Sequence, residues 1–72
     1  MSKYKNIIGL PAYRTKKSVN DYKVGIIERS RFPLLPPLIL RFNNGKGIRA
    51  YPKDLIIVDN NGKDKKRANN MY

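Results

Sequence analysis

Nowhere in this 72-residue chain do apolar residues recur at i, i+3, i+4 and i+7 without a proline or glycine between them. A helix interior tolerates neither residue cheaply, so that punctuation leaves the extended strand as the element able to bury the chain's apolar side chains. "NIIGLPAYR" (6–14) reads as a first β segment, with Pro11 expected at an edge or a bulge. "TKKSVND" (15–21) is a polar loop, and "YKVGIIERSR" (22–31) is a second strand in which Gly25 marks a bend or a close backbone approach.

"FPLLPP" (32–37) lacks an N–H at three of its six positions and is expected as an extended loop. "LILRF" (38–42) and "GIRAY" (47–51) then form a hairpin, "PKDL" (52–55) a 3₁₀ turn capped by Asp54, and "IIV" (56–58) a last strand. Directly opposed residues share a side of the sheet, which selects the hairpin register. A two-residue Asn44-Gly45 turn would oppose Arg41 to Ile48 and mix the faces. A three-residue loop, Asn43 to Gly45, opposes Leu40 to Ile48, Leu38 to Ala50 and Ile39 to Arg49, and sets Gly45 where such loops need a left-handed residue. On this register Leu38, Leu40, Phe42, Ile48 and Ala50 point inward, and Ile39, Arg41, Arg49 and Tyr51 share the outer face.

From Asp59 on, "DNNGKDKKRANNMY" has only Ala68, Met71 and Tyr72 as apolar residues, too few to offset the entropy of ordering it. The expected organisation is one all-β domain over residues 1–58, a five-stranded small barrel, followed by a disordered basic tail over 59–72. No internal repeat is read.

Absence of cysteine and histidine removes disulfides, thiolate metal sites, the commonest zinc ligand and the commonest general base. The few acids, Asp21, Glu28, Asp54, Asp59 and Asp64, are scattered, and "NNGKGIR" has neither the spacing nor the following helix of a phosphate loop. No enzyme, no metal and no cofactor are expected. The longest apolar stretch, "FPLLPPLIL" (32–40), falls far short of the roughly 20 residues that cross a bilayer, and the N-terminus lacks a signal-peptide pattern. A cytoplasmic, membrane-free protein is the expectation, monomeric or weakly dimeric. Asn, Lys and Ile are its commonest residues, as an AT-rich phage, organellar or low-GC bacterial genome would produce.

Sixteen Lys plus Arg against five Asp plus Glu give a net charge of +11, most of it in residues 1–58. A charge of that size attracts polyanions or acidic protein faces. Arg41, Arg49, Tyr51 and Lys53 on the outer hairpin face, with Lys46 at its turn, are candidates to hold phosphates and stack a base. A closed sheet would bring Arg14, Lys16, Lys17, Arg29 and Arg31 near them. Should six to eight of these cations meet phosphates, affinity is expected to fall about 10³- to 10⁵-fold between 50 and 200 mM salt. The competing assignment is a solvated face whose cations prevent edge pairing. Phe32, Leu34 and Leu35 in the proline-rich loop are the candidate contacts of an alternative function, docking to a larger protein assembly; the competing assignment folds this loop over an open end of the barrel, where it completes a thin core.

The order of elements, with Val24-Gly25-Ile26-Ile27, Leu40-Arg41-Phe42-Asn43-Asn44-Gly45 and Asp54-Leu55, resembles the Src-homology-3-like small barrels of the KOW and Tudor branch over about residues 20–58. The KOW resemblance implies contact with RNA, DNA or polymerase in transcription or translation. The Tudor resemblance implies an aromatic cage for methylated side chains, for which Tyr13, Tyr22, Phe32 and Tyr51 would supply rings and only Asp21 and Glu28 lie nearby in sequence.

Overall fold

The short apolar runs pair as strands, and all the ladders are antiparallel. A computed structural model describes residues 4–15, 23–31 and 35–70. It contains β1 (Pro11–Arg14), β2 (Gly25–Arg29), β3 (Leu38–Arg41), β4 (Gly47–Ala50), a 3₁₀ turn at Pro52–Asp54, β5 (Leu55–Val58), β6 (Asp64–Arg67) and a second 3₁₀ turn at Ala68–Asn70. The sheet order is β4-β3-β2-β1-β5-β6.

The all-β expectation holds, but the five-stranded closed barrel does not: the sheet has six strands and is open. Among the described residues no ladder joins β4 to β6. The sheet nevertheless curls. Arg14 Nη1 on β1 lies 3.4 Å from the Arg49 carbonyl on β4, although β2 and β3 separate those strands in the sheet. Just past the same end of β1 the Thr15 N–H and hydroxyl both donate to the Asp54 carbonyl, at 2.8 and 3.2 Å. Asp54 therefore serves through its backbone, while Tyr51 occupies the N-cap of the 3₁₀ turn and makes no side-chain cap.

The hairpin follows the expected register residue for residue: Leu38 opposes Ala50, Ile39 opposes Arg49 and Leu40 opposes Ile48. Phe42 N donates to Lys46 O, which closes the three-residue loop 43–45 with Gly45 at φ +87. Leu38, Leu40 and Ala50 are buried against Ile27 of β2, while Phe42 and Ile48 pack partly buried at the core's margin. Burial of each large side chain stabilises by about 1.5–3 kcal/mol. Ile7, which lies in a turn rather than a strand, fills one end of this core. The first strand is thus shorter than residues 6–14. Pro11 is its first residue, where a missing N–H leaves the β5 ladder, which begins at Ala12, intact.

The basic tail is the main correction to the chain's organisation. Residues 64–67 pair with β5, and Ala68 is fully buried in the core cluster, so the domain extends well past residue 58. The turn that returns the chain repeats the first hairpin. In "FNNGK" (42–46) and "DNNGK" (59–63) the first residue's N–H donates to the lysine carbonyl at 2.8 Å, its carbonyl accepts from the glycine N–H at 3.0 Å, and both glycines have positive φ. Asp59 Oδ1 adds bonds from Asn61 N and Lys63 N. Composition hides this because β6, "DKKR", is exposed at every position and carries no alternation.

Gly25 supplies the close approach expected of it. A Cβ there would stand 2.7 Å from the Arg41 carbonyl and 3.0 Å from Leu40 Cγ and Phe42 Cδ1. Gly25→Ala is expected to destabilise the fold by about 1–3 kcal/mol, as overpacking does. Urea unfolding measures it, and an unchanged midpoint would mean that β2 and β3 separate freely there.

Candidate nucleic-acid interface

Strand alternation places Glu28, Ile39 and Arg49 in one cross-strand row of the outer face and Ile26 and Arg41 in the next. Arg29 ends β2 and Arg31 follows it, both exposed. Together Glu28, Arg29, Arg31, Ile39, Arg41 and Arg49 border a concavity of about 400 Å³. Four guanidiniums therefore face one carboxylate.

That carboxylate is engaged. Arg41 Nη2 lies 3.3 Å from Glu28 Oε1 and its Nε lies 3.4 Å from both carboxylate oxygens, while Nη1 donates to the Gly45 carbonyl at 3.0 Å. Both side chains of the pair are about two-fifths exposed, 41% and 43%, and such pairs contribute about 0–1 kcal/mol. The pair orients Arg41 more than it stabilises the fold. Arg49 is fixed differently: its Nη1 donates to the buried Ser30 hydroxyl at 2.8 Å and to the Pro36 carbonyl at 3.3 Å. Both bonds leave from one nitrogen, so among the described residues the Nε and Nη2 donors of this fork remain for a ligand.

The other sequence candidates distribute around this centre. Arg14 adjoins it through the Arg49 carbonyl. Lys46 sits at the hairpin turn beside Phe42 and Asn44, outside the concavity. Tyr51 and Lys53 line a second cavity of about 380 Å³ with Tyr4, Leu35, Pro37 and Pro52. Lys53 Nζ stands 5.6 Å from the Tyr51 ring centroid. Leu35 is 73% exposed on that cavity's wall. Lys16, Lys17, Phe32 and Leu34 lie outside the described residues, as do Asp21 and Tyr22.

Of the rings considered for a methyl-lysine cage, Tyr13 is committed elsewhere, donating its hydroxyl to the Asp64 carboxylate at 2.9 Å. Glu28, the remaining described acid of that set, is taken by Arg41.

Four contributors escaped sequence reasoning. Glu28 opposes Ile39 across the ladder and so sits beside Arg41, a placement that needs the β2–β3 register. Ser30 anchors Arg49. Tyr4 reaches Tyr51 only through the turn that buries Ile7. Arg67, assigned to the tail, donates through Nη1 to the Lys53 carbonyl at 2.7 Å. The repeated Asn-Asn-Gly-Lys turn was the one available signal for the last of these.

Among the described residues no group of three acidic, histidine or cysteine side chains is placed to hold a metal, and no helix is long and apolar enough to cross a membrane. Comparison of the chain with protein-family models, curated proteins and solved structures returns no match.

Proposed function

We propose that this protein is a nucleic-acid-binding module of the Src-homology-3-like kind, which holds phosphates in the concavity between β2, β3 and β4. The observation that carries this reading is the gathering of Arg29, Arg31, Arg41 and Arg49 around one hollow, with Glu28 as the sole acid on its border among the described residues. A purely solvated basic protein has no reason to set four guanidiniums together, since their mutual repulsion costs stability. The run of elements, with a tight hairpin and a 3₁₀ turn before β5, supports the barrel-like kinship without requiring full closure.

Phosphate binding predicts a salt dependence that the count of cations sets. Each neutralised phosphate contributes a slope of about −0.7 on single strands and −0.9 on duplex. Four contacts give roughly a 50-fold loss of affinity between 50 and 200 mM salt on a single strand and roughly 150-fold on duplex. These values are smaller than six to eight contacts would produce, because the structure gathers fewer cations. Fluorescence anisotropy across that salt range tests the reading, and a flat response overturns it.

The exposure of Leu35 supports a second reading, docking on a larger protein through the proline-rich loop. Loss of a copurifying partner on Leu35→Ser, with nucleic-acid affinity unchanged, would favour it.

A further inference from the structure

We propose that the cavity between Tyr4 and Tyr51 is a base pocket, so that the polyanion held by the basic face is single-stranded. This inference rests on the nucleic-acid reading above and narrows its ligand.

The cavity has the shape and surface that a flat, apolar, weakly polarised group requires. Its walls are two half-buried tyrosines, Leu35, Pro37 and Pro52, which border an open hollow of about 380 Å³. Nothing on these walls distinguishes one base from another by a set of fixed donors. The Asn69 amide at the margin offers one donor and one acceptor group to whichever base edge turns toward it. Stacking on aromatic rings tolerates any sequence, because every base has a π-face.

The pocket is contiguous with the arginines. Tyr51 continues β4 in extended conformation, φ −86 and ψ 149, so its side chain falls on the same face as Arg49, about 7 Å along the chain. Arg49 itself is bonded to the Pro36 carbonyl, and Pro37 is a wall of the pocket. A phosphate on Arg49 and a base on Tyr51 are thus held by neighbouring parts of one surface. Lys53 adds a cation at the ring, exposed and 5.6 Å from its centroid. An exposed contact of that kind is weak. Its ammonium can leave the ring to an entering base and follow the phosphate.

A duplex cannot use this arrangement. Its base faces are covered by their neighbours, and only its phosphates and groove edges are presented. A single strand offers a base face beside each phosphate, which is the combination of charged track and stacking platform found here.

The test uses the full chain and three ligands of equal length: a mixed-sequence single strand, the same strand with abasic sites throughout, and a duplex, each prepared as DNA and the first also as RNA. The unmodified protein is expected to bind the strand with bases about 5- to 150-fold more tightly than the abasic strand, the range that one stacked base contributes. Tyr51→Ala is expected to remove that difference while leaving abasic-strand and duplex binding unchanged, and Tyr51→Phe to retain it. Equal affinity for the abasic and base-bearing strands overturns the base pocket and leaves the phosphate reading standing. Failure to bind any of the three overturns both. Because the abasic comparison is made on unmodified protein, it decides the matter even if Tyr51→Ala does not fold.

Discussion

Arg29→Glu/Arg31→Glu should eliminate nucleic-acid binding at 200 mM salt while the protein melts as before. The concavity holds four guanidiniums against one carboxylate; after the double reversal it holds two against three. Its local field then repels phosphate. If the two contacts were merely lost, the salt slope on a single strand would halve, from about −2.8 to about −1.4. Reversal goes further, since each new carboxylate acts on the phosphates still held by Arg41 and Arg49. These two positions are preferable to Arg41 and Arg49 because they are exposed, and exposed substitutions usually change stability by no more than about 0.5 kcal/mol. Arg41→Glu would instead place an acid against Glu28, and Arg49→Glu would turn an acceptor toward the Pro36 carbonyl. Anisotropy with a labelled strand and a thermal melt of the same preparation give the answer. Wild-type affinity in a folded double variant would show that the arginines are surface charge without a ligand.

How far such a surface can be read from the residues depends on the range of the interactions that build it. The β3–β4 hairpin was legible because period-two alternation and a glycine at the third loop position act over a few residues, and only one register keeps Leu38, Leu40, Ile48 and Ala50 together. That register alone puts Arg41 and Arg49 on one face. Their tethers were not legible. Glu28 meets Arg41 through the β2–β3 ladder, and Ser30 meets Arg49 through the connection between those strands, so both depend on pairings that the turn sequences do not specify. Tyr4 comes to the same cavity as Tyr51 across about two-thirds of the chain, by way of the buried Ile7.

The failure at the C-terminus has a different cause. A burial argument counts apolar side chains, and by that count residues 59–70 have only Ala68 to contribute. An edge strand, however, is held by its ladder to β5 and by its turn, and neither needs apolar side chains of its own. Lysines on such a strand also suit the position, because they discourage a second molecule from pairing with the exposed edge. The charge that suggested disorder is compatible with a strand placed last in an open sheet.

If that view of the C-terminus is right, Ala68→Asp should be among the most damaging single substitutions in the protein. Ala68 is completely buried with Leu55 and Ile57, and among the described residues no cation is buried in the core to pair with a carboxylate. An uncompensated buried charge costs about 3–5 kcal/mol. A domain of this size has a total stability on the order of 5 kcal/mol, so the variant should be largely unfolded, or fold only with the C-terminal turn undocked. Either result lowers the melting temperature by roughly 12 °C or more, at about 4–8 °C for each kcal/mol. Lys65→Ala, on the exposed strand beside it, should shift the melt by no more than the few degrees that about 0.5 kcal/mol allows. Undocking would also free Arg67 from the Lys53 carbonyl and withdraw Asn69 from the Tyr51 cavity, so binding of a base-bearing strand should weaken in any folded remainder. An Ala68→Asp protein that melts with the parent would show that residues 64–70 contribute nothing to the fold, and the domain would then end at β5 as composition alone suggests.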